Sequence, residues 1–129
     1  MLLTLALLLV ACTPSHPTPG GIAVSGAPLT PEQFAWIDPA HLAVRECLAK
    51  NGYRIVDQVE EIRVHSTCRF RPPGYPFDVV GYPVGDRVEV GLNLAALRHE
   101  IAESLTRNAP GATRTCEHAG PRPPFRDCD

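Results

Sequence analysis

Four cysteines, Cys47, Cys68, Cys116 and Cys128, are spread through the last two thirds of a chain of 129 residues. A single domain of this size buries a modest core, and covalent staples add a large share of its stability. An even number of cysteines in an exported chain reads as two disulfides, and four permit three pairings that spacing does not separate. The fifth cysteine, Cys12, stands apart at the end of an apolar run. The formal net charge is −2 with both signs interspersed, so the chain lacks the basic footprint of a nucleic-acid binder.

The compartment is set by the N-terminus. Residues 1–11 are almost wholly apolar, yet far shorter than the roughly 20 residues a membrane-spanning helix needs. They end in Leu9-Val10-Ala11-Cys12, which resembles the lipobox of bacterial lipoproteins: small Ala11 suits the cleavage position and Leu9 the apolar one before it. The run lacks the Lys or Arg that usually opens an export signal, which leaves open a start further upstream. The resemblance implies a signal peptide over 1–11, a lipid on Cys12, and an exported protein anchored to a membrane and facing the periplasm or cell exterior. Residues 12–29, rich in Pro, Gly, Ser and Thr, read as a flexible tether. The domain is then expected over 30–129.

Local signals give that domain an α+β character. Thr30-Pro31-Glu32-Gln33 is a capping box with proline at the first helical position, and predicts a short helix through Phe34 and Trp36. Asp38-Pro39 repeats the start signal and predicts a second helix to Lys50, with Ala40, Val44, Cys47 and Leu48 inward and Asn51-Gly52 as the stop. Ile62 and Val64 alternate with charged neighbours, as in a half-buried strand. Prolines 72, 73 and 76 with Gly74 mark a loop. A hairpin is expected from residues 77–82 and 87–92 around Pro83-Val84-Gly85-Asp86. Asn93 then caps a helix from Leu94 to about Arg107, with Leu94, Leu97, Ile101 and Leu105 as its apolar stripe. The tail beyond Gly111 reads as irregular. The expected architecture is α+β: short N-terminal helices, a small, mostly antiparallel sheet, and a long C-terminal helix packed on it and stapled by disulfides.

Leu97-Arg98-His99-Glu100-Ile101-Ala102-Glu103 carries the one constellation that suggests chemistry. His99 and Glu103 are four residues apart, hence one turn apart on one helix face. At about 100° per residue that face lies opposite the apolar stripe. Such a pair can hold two corners of a tetrahedral zinc site, and Glu100 beside it can accept a proton from water. His118, in Cys116-Glu117-His118, is the candidate third ligand.

From Gly81 onward, with His118 and Pro123-Pro124-Phe125-Arg126-Asp127-Cys128, the chain resembles small secreted zincin-like metallopeptidases. In these a strand pair runs into an HExxH helix, and a third histidine precedes a terminal Pro-Pro-Phe…Cys segment. The resemblance implies His99 as the first zinc ligand, Glu100 as the general base, His118 as the third ligand, and a peptide or protein substrate. It also implies that a cysteine of the early helix pairs with the terminal one, Cys47–Cys128, leaving Cys68–Cys116. The local pairing, Cys47–Cys68 with Cys116–Cys128, is the alternative.

At the second histidine of the motif this chain has Glu103. A carboxylate can bind zinc, but its charge leaves the metal a poorer Lewis acid. Three readings stand: an active His/Glu/His site, a metal site without hydrolytic power, or a degenerate relative that binds no metal. A solvated helix face, with Glu103 paired to Arg107 and His99 bonded to Glu103, accounts for the same residues. The rival to a zinc peptidase is therefore a non-catalytic envelope lipoprotein that serves as a binding or structural module. His41 and His65 read as surface residues, and Tyr75 and Tyr82 as packing residues that can also serve as oxyanion donors.

Overall fold

The computed structural model describes residues 15–124 and Cys128. The apolar run 1–11, Cys12, and Phe125, Arg126 and Asp127 of the tail motif lie outside the described residues. Among the described residues, no helix is long and apolar enough to cross a membrane.

Alternation of β-branched residues builds the sheet. Its strands are β1 (His16–Pro17), β2 (Ala23–Gly26), β3 (Glu61–Val64), β4 (Gly81–Val84) and β5 (Arg87–Val90), in the order β1-β2-β3-β5-β4. The sheet is mixed. The central pairs β2–β3 and β3–β5 are parallel, and the outer pairs β1–β2 and β4–β5 are antiparallel. Val24, Ile62 and Val88 stand side by side across the three parallel strands, as do Val64 and Val90 one row on. All five are buried. Their alternate neighbours face the other way and form a charged surface, with Arg87 Nη2 3.1 Å from Glu89 Oε2 and His65 Nε2 2.7 Å from Glu89 Oε1. One sheet face is core and the other is polar, as a two-layer α+β domain requires.

Three helices share one core with the apolar face: α1 (Pro31–Lys50), α2 (Leu97–Thr106) and α3 (Ala112–Cys116). The capping box at Thr30 and Gln33 is present in full. The two expected N-terminal helices are one, because α1 runs through Pro39 without a break. Asp38 does not cap a second helix. Its carboxylate accepts from Thr18 Oγ1 and from the Gly20 amide, both at 2.7 Å, and so holds the loop before β2.

That loop belongs to the domain. The tether expected over 12–29 gives way at residue 16 to β1 and β2, with Ile22 and Val24 in the core. Both side chains join the core, Val24 in the row of Ile62 and Val88, although Pro and Gly dominate their surroundings. The hairpin turn is also tighter than expected, with Val84 paired to Arg87 across Gly85-Asp86.

Neither weighed disulfide pairing is observed. Cys47 pairs with Cys116 and Cys68 with Cys128, at Cα separations of 5.8 and 5.7 Å. The reason is α3, in a stretch expected to be irregular. This helix turns the chain back and buries Cys116 beside α1. Each bridge closes a loop of 60 residues or more, a constraint worth about 4 kcal/mol in the chain-entropy account.

Two outcomes follow. Ile22→Ala is expected to cost about 2–5 kcal/mol in urea unfolding, the range for truncating a buried isoleucine; a loss under about 0.5 kcal/mol would mark residues 16–26 as a tether after all. Mass mapping of an unreduced digest should return the linked pairs Cys47–Cys116 and Cys68–Cys128 and no other linkage among these four.

Candidate functional site

The site begins where β5 hands over to α2. Asn93 Oδ1 accepts from the Ala95 amide at 3.0 Å, a side-chain turn and not a helix cap. Leu94 sits at φ 60°, a left-handed conformation that costs a leucine about 1 kcal/mol, with its side chain buried in the core. The helix therefore starts at Leu97, three residues later than the Asn93 cap implies. Leu97, Ile101 and Leu105 are fully buried, as the stripe requires.

Glu100 points under the sheet edge. It is 5 % exposed, and its Oε2 has no hydrogen-bond partner. Gly81, the first residue of β4, makes room for it: a Cβ there would lie 2.6 Å from Glu100 Cγ and 2.9 Å from Oε1. Burial, aided by the charge of Glu103 and opposed by that of His99, raises the Glu100 carboxyl from 4.5 to about 7.

His99, Glu100 and Glu103 converge, each offering a ligand atom within 4.8 Å of the others. This group can hold a metal ion. His99 Nε2 is 3.6 Å from Glu103 Oε2, while its Nδ1 is 3.0 Å from Glu117 Oε2. The Glu117 carboxyl is held below its ordinary value, chiefly by the bond to His99. An ionised carboxylate only accepts, so this bond places a His99 proton on Nδ1, and Nε2 faces Glu103. A ligating histidine is oriented in the same way by a carboxylate behind it.

His118 is not in the converging group. It is 85 % exposed, with Nε2 3.5 Å from Glu117 Oε1, so Glu117 stands between it and His99. Glu117 was not among the residues singled out from sequence, although it adjoins His118. No i,i+4 relation links it to His99; α3 and the chain after it bring it there. Three ties fix that segment: the Cys47–Cys116 bridge, the Arg98 Nη1 bond to Ala119 O at 3.0 Å, and the Trp36 Nε1 bond to Pro121 O at 3.0 Å. The Arg98 guanidinium also lies 5.7 Å from the Trp36 ring centroid.

The remaining sequence candidates lie elsewhere. Arg107 reaches Asp57 at 3.4 Å, so the expected Glu103–Arg107 pair is not the one formed. Tyr82 packs edge-on to Tyr75, 5.1 Å between centroids, and register places it across from Glu89 on the polar face of the sheet. His65 stacks on Phe70 at 3.7 Å.

The raised Glu100 pKa carries a sign. In the metal-free protein the folded state keeps this proton up to about pH 7, whereas the unfolded chain releases it near 4.5. Stability therefore falls as pH rises through that window, by about 3 kcal/mol at most. Glu100→Gln should flatten this part of the pH–stability curve, and an unchanged slope in the variant would place the titration elsewhere. No protein-family model, curated protein or solved structure matches this chain.

Proposed function

We propose that the chain is a membrane-anchored lipoprotein with a zinc-dependent, peptidase-like site made by His99, Glu103 and Glu100. The observation that carries this reading is the convergence of these side chains, with a buried, unpartnered Glu100 oxygen beside an oriented histidine. The nitrogen and carboxylate donors suit zinc, which takes His at about 2.0–2.1 Å and carboxylate at about 2.0–2.2 Å. When bound, zinc supplies Lewis acidity toward a peptide carbonyl and toward water.

The protein's own groups divide the remaining work. Glu117 holds the His99 ring so that Nε2 faces Glu103. Glu100 accepts a proton from the attacking water and returns it to the leaving amine. A carboxyl near pH 7 suits both steps, because it exchanges protons at the working pH. The protein ligands of this reading are His99 and Glu103; His118, the third ligand that the resemblance implied, stands beyond Glu117 on the other side of the His99 ring. The lipid on Cys12 holds the domain at the membrane, and two disulfides fit the oxidising compartment such an anchor implies.

A second reading has one observation in its favour. His99 already lies between two carboxylates, Glu103 and Glu117, so the face is electrostatically satisfied without an ion. The protein is then a non-catalytic envelope module.

Metal analysis of the purified full chain separates the two. The zinc reading expects about one tightly held zinc per chain, lost in His99→Ala. It also expects Glu100→Gln to keep the metal and to lower peptide hydrolysis by about 10²–10⁴-fold. Glu103→His should raise zinc affinity. Zinc below stoichiometry in the wild type and unchanged by His99→Ala leaves the envelope module.

A further inference from the structure

On the far side of α1 from Cys47 lies a polar cleft of about 860 Å³, walled by α1, the Gly20–Gly21 turn and the extended chain at 55–60. Ile22 and Val59, both buried, form its floor. His41 and Arg45, one turn apart on α1, face into it. The volume falls in the range of small-molecule sites.

The charges of the cleft are unevenly committed. Asp57 is engaged by Arg107 at 3.4 Å, and Glu60 lies beside the carboxyl of Asp86, which raises its pKa. Asp38, the acidic group nearest His41 on α1, is spent on Thr18 and Gly20. The two basic groups have no such partners. His41 Nε2 is buried without a hydrogen bond, and among the described residues no ion pair reaches the half-buried Arg45 guanidinium. A partly desolvated guanidinium with free donors is costly, and an oxyanion binding its fork offsets that cost. We infer that this cleft is a binding site for a small oxyanion-bearing ligand, a carboxylate or a phosphate. Arg45 clamps the oxyanion, the His41 ring walls the cleft beside it, and the Ile22/Val59 floor takes the ligand's apolar part.

The site is separate from the α2 cluster, so its test does not depend on zinc. The full chain, labelled with ¹⁵N, is titrated in parallel with inorganic phosphate and with succinate. Saturable amide shifts at Gly20, Gly21 and Gln58 are expected with at least one probe, and the responding probe identifies the ligand class. Arg45→Gln should weaken that binding by about tenfold or more, the scale of one charge-assisted hydrogen bond. Arg45→Lys, which keeps the charge and loses the fork, should fall between, while Arg63→Gln on the polar sheet face should bind as the wild type. No saturable shift with either probe, or shifts that persist unchanged in both Arg45 variants, would overturn the inference.

Discussion

The burial of α2 is the constraint on which the rest of the site depends. Eight of its ten residues are buried, leaving only His99 and Glu103 partly open to solvent. The sheet takes one side, α1 and α3 take two more, and Leu97, Ile101 and Leu105 anchor the helix in the core. Rotating the helix to expose another pair would carry leucines into water at about 1.5–3 kcal/mol each. Access to the helix is thus confined to one line, and the chemistry-bearing residues lie along it.

Within that frame the local electrostatics are divided by depth. Glu100, under Gly81, is kept protonated to about pH 7 by burial. Glu117, at the surface, is kept ionised by His99. Two carboxyl groups close to one imidazole are thereby pushed in opposite directions, a pattern that equips one for proton exchange and the other for holding a ring in place. The disulfide to Cys116 matters to this division because Glu117 is the next residue. Without the bridge, the segment that orients His99 depends on its bonds to Arg98 and Trp36 and on the packing of α3.

Much of this was legible along the chain wherever the signal was local. The Thr30/Gln33 box, the alternation of Ile62 and Val64, the hairpin at Gly85-Asp86 and the stripe of α2 are all set by neighbours within a few residues. The His99/Glu103 pair was legible for the same reason. What long-range packing decides was not. Ile22 and Val24 sit among turn formers, and only their pairing with β3 makes them core. Pro39 and Asp38 look like a helix start until Asp38 is seen serving another segment. The cysteine pairing and the place of Glu117 both turn on α3, five residues with no side-chain cap to announce them.

The central claim is that His99 and Glu103 form a metal site on the exposed line of α2. Crystals of the full chain grown with zinc, measured on both sides of the zinc absorption edge, test it most directly. The account predicts an anomalous peak within about 2.0–2.2 Å of His99 Nε2 and of a Glu103 oxygen, with Glu117 still bonded to His99 Nδ1. A peak elsewhere, or none with His99 and Glu103 left as they stand here, would contradict it.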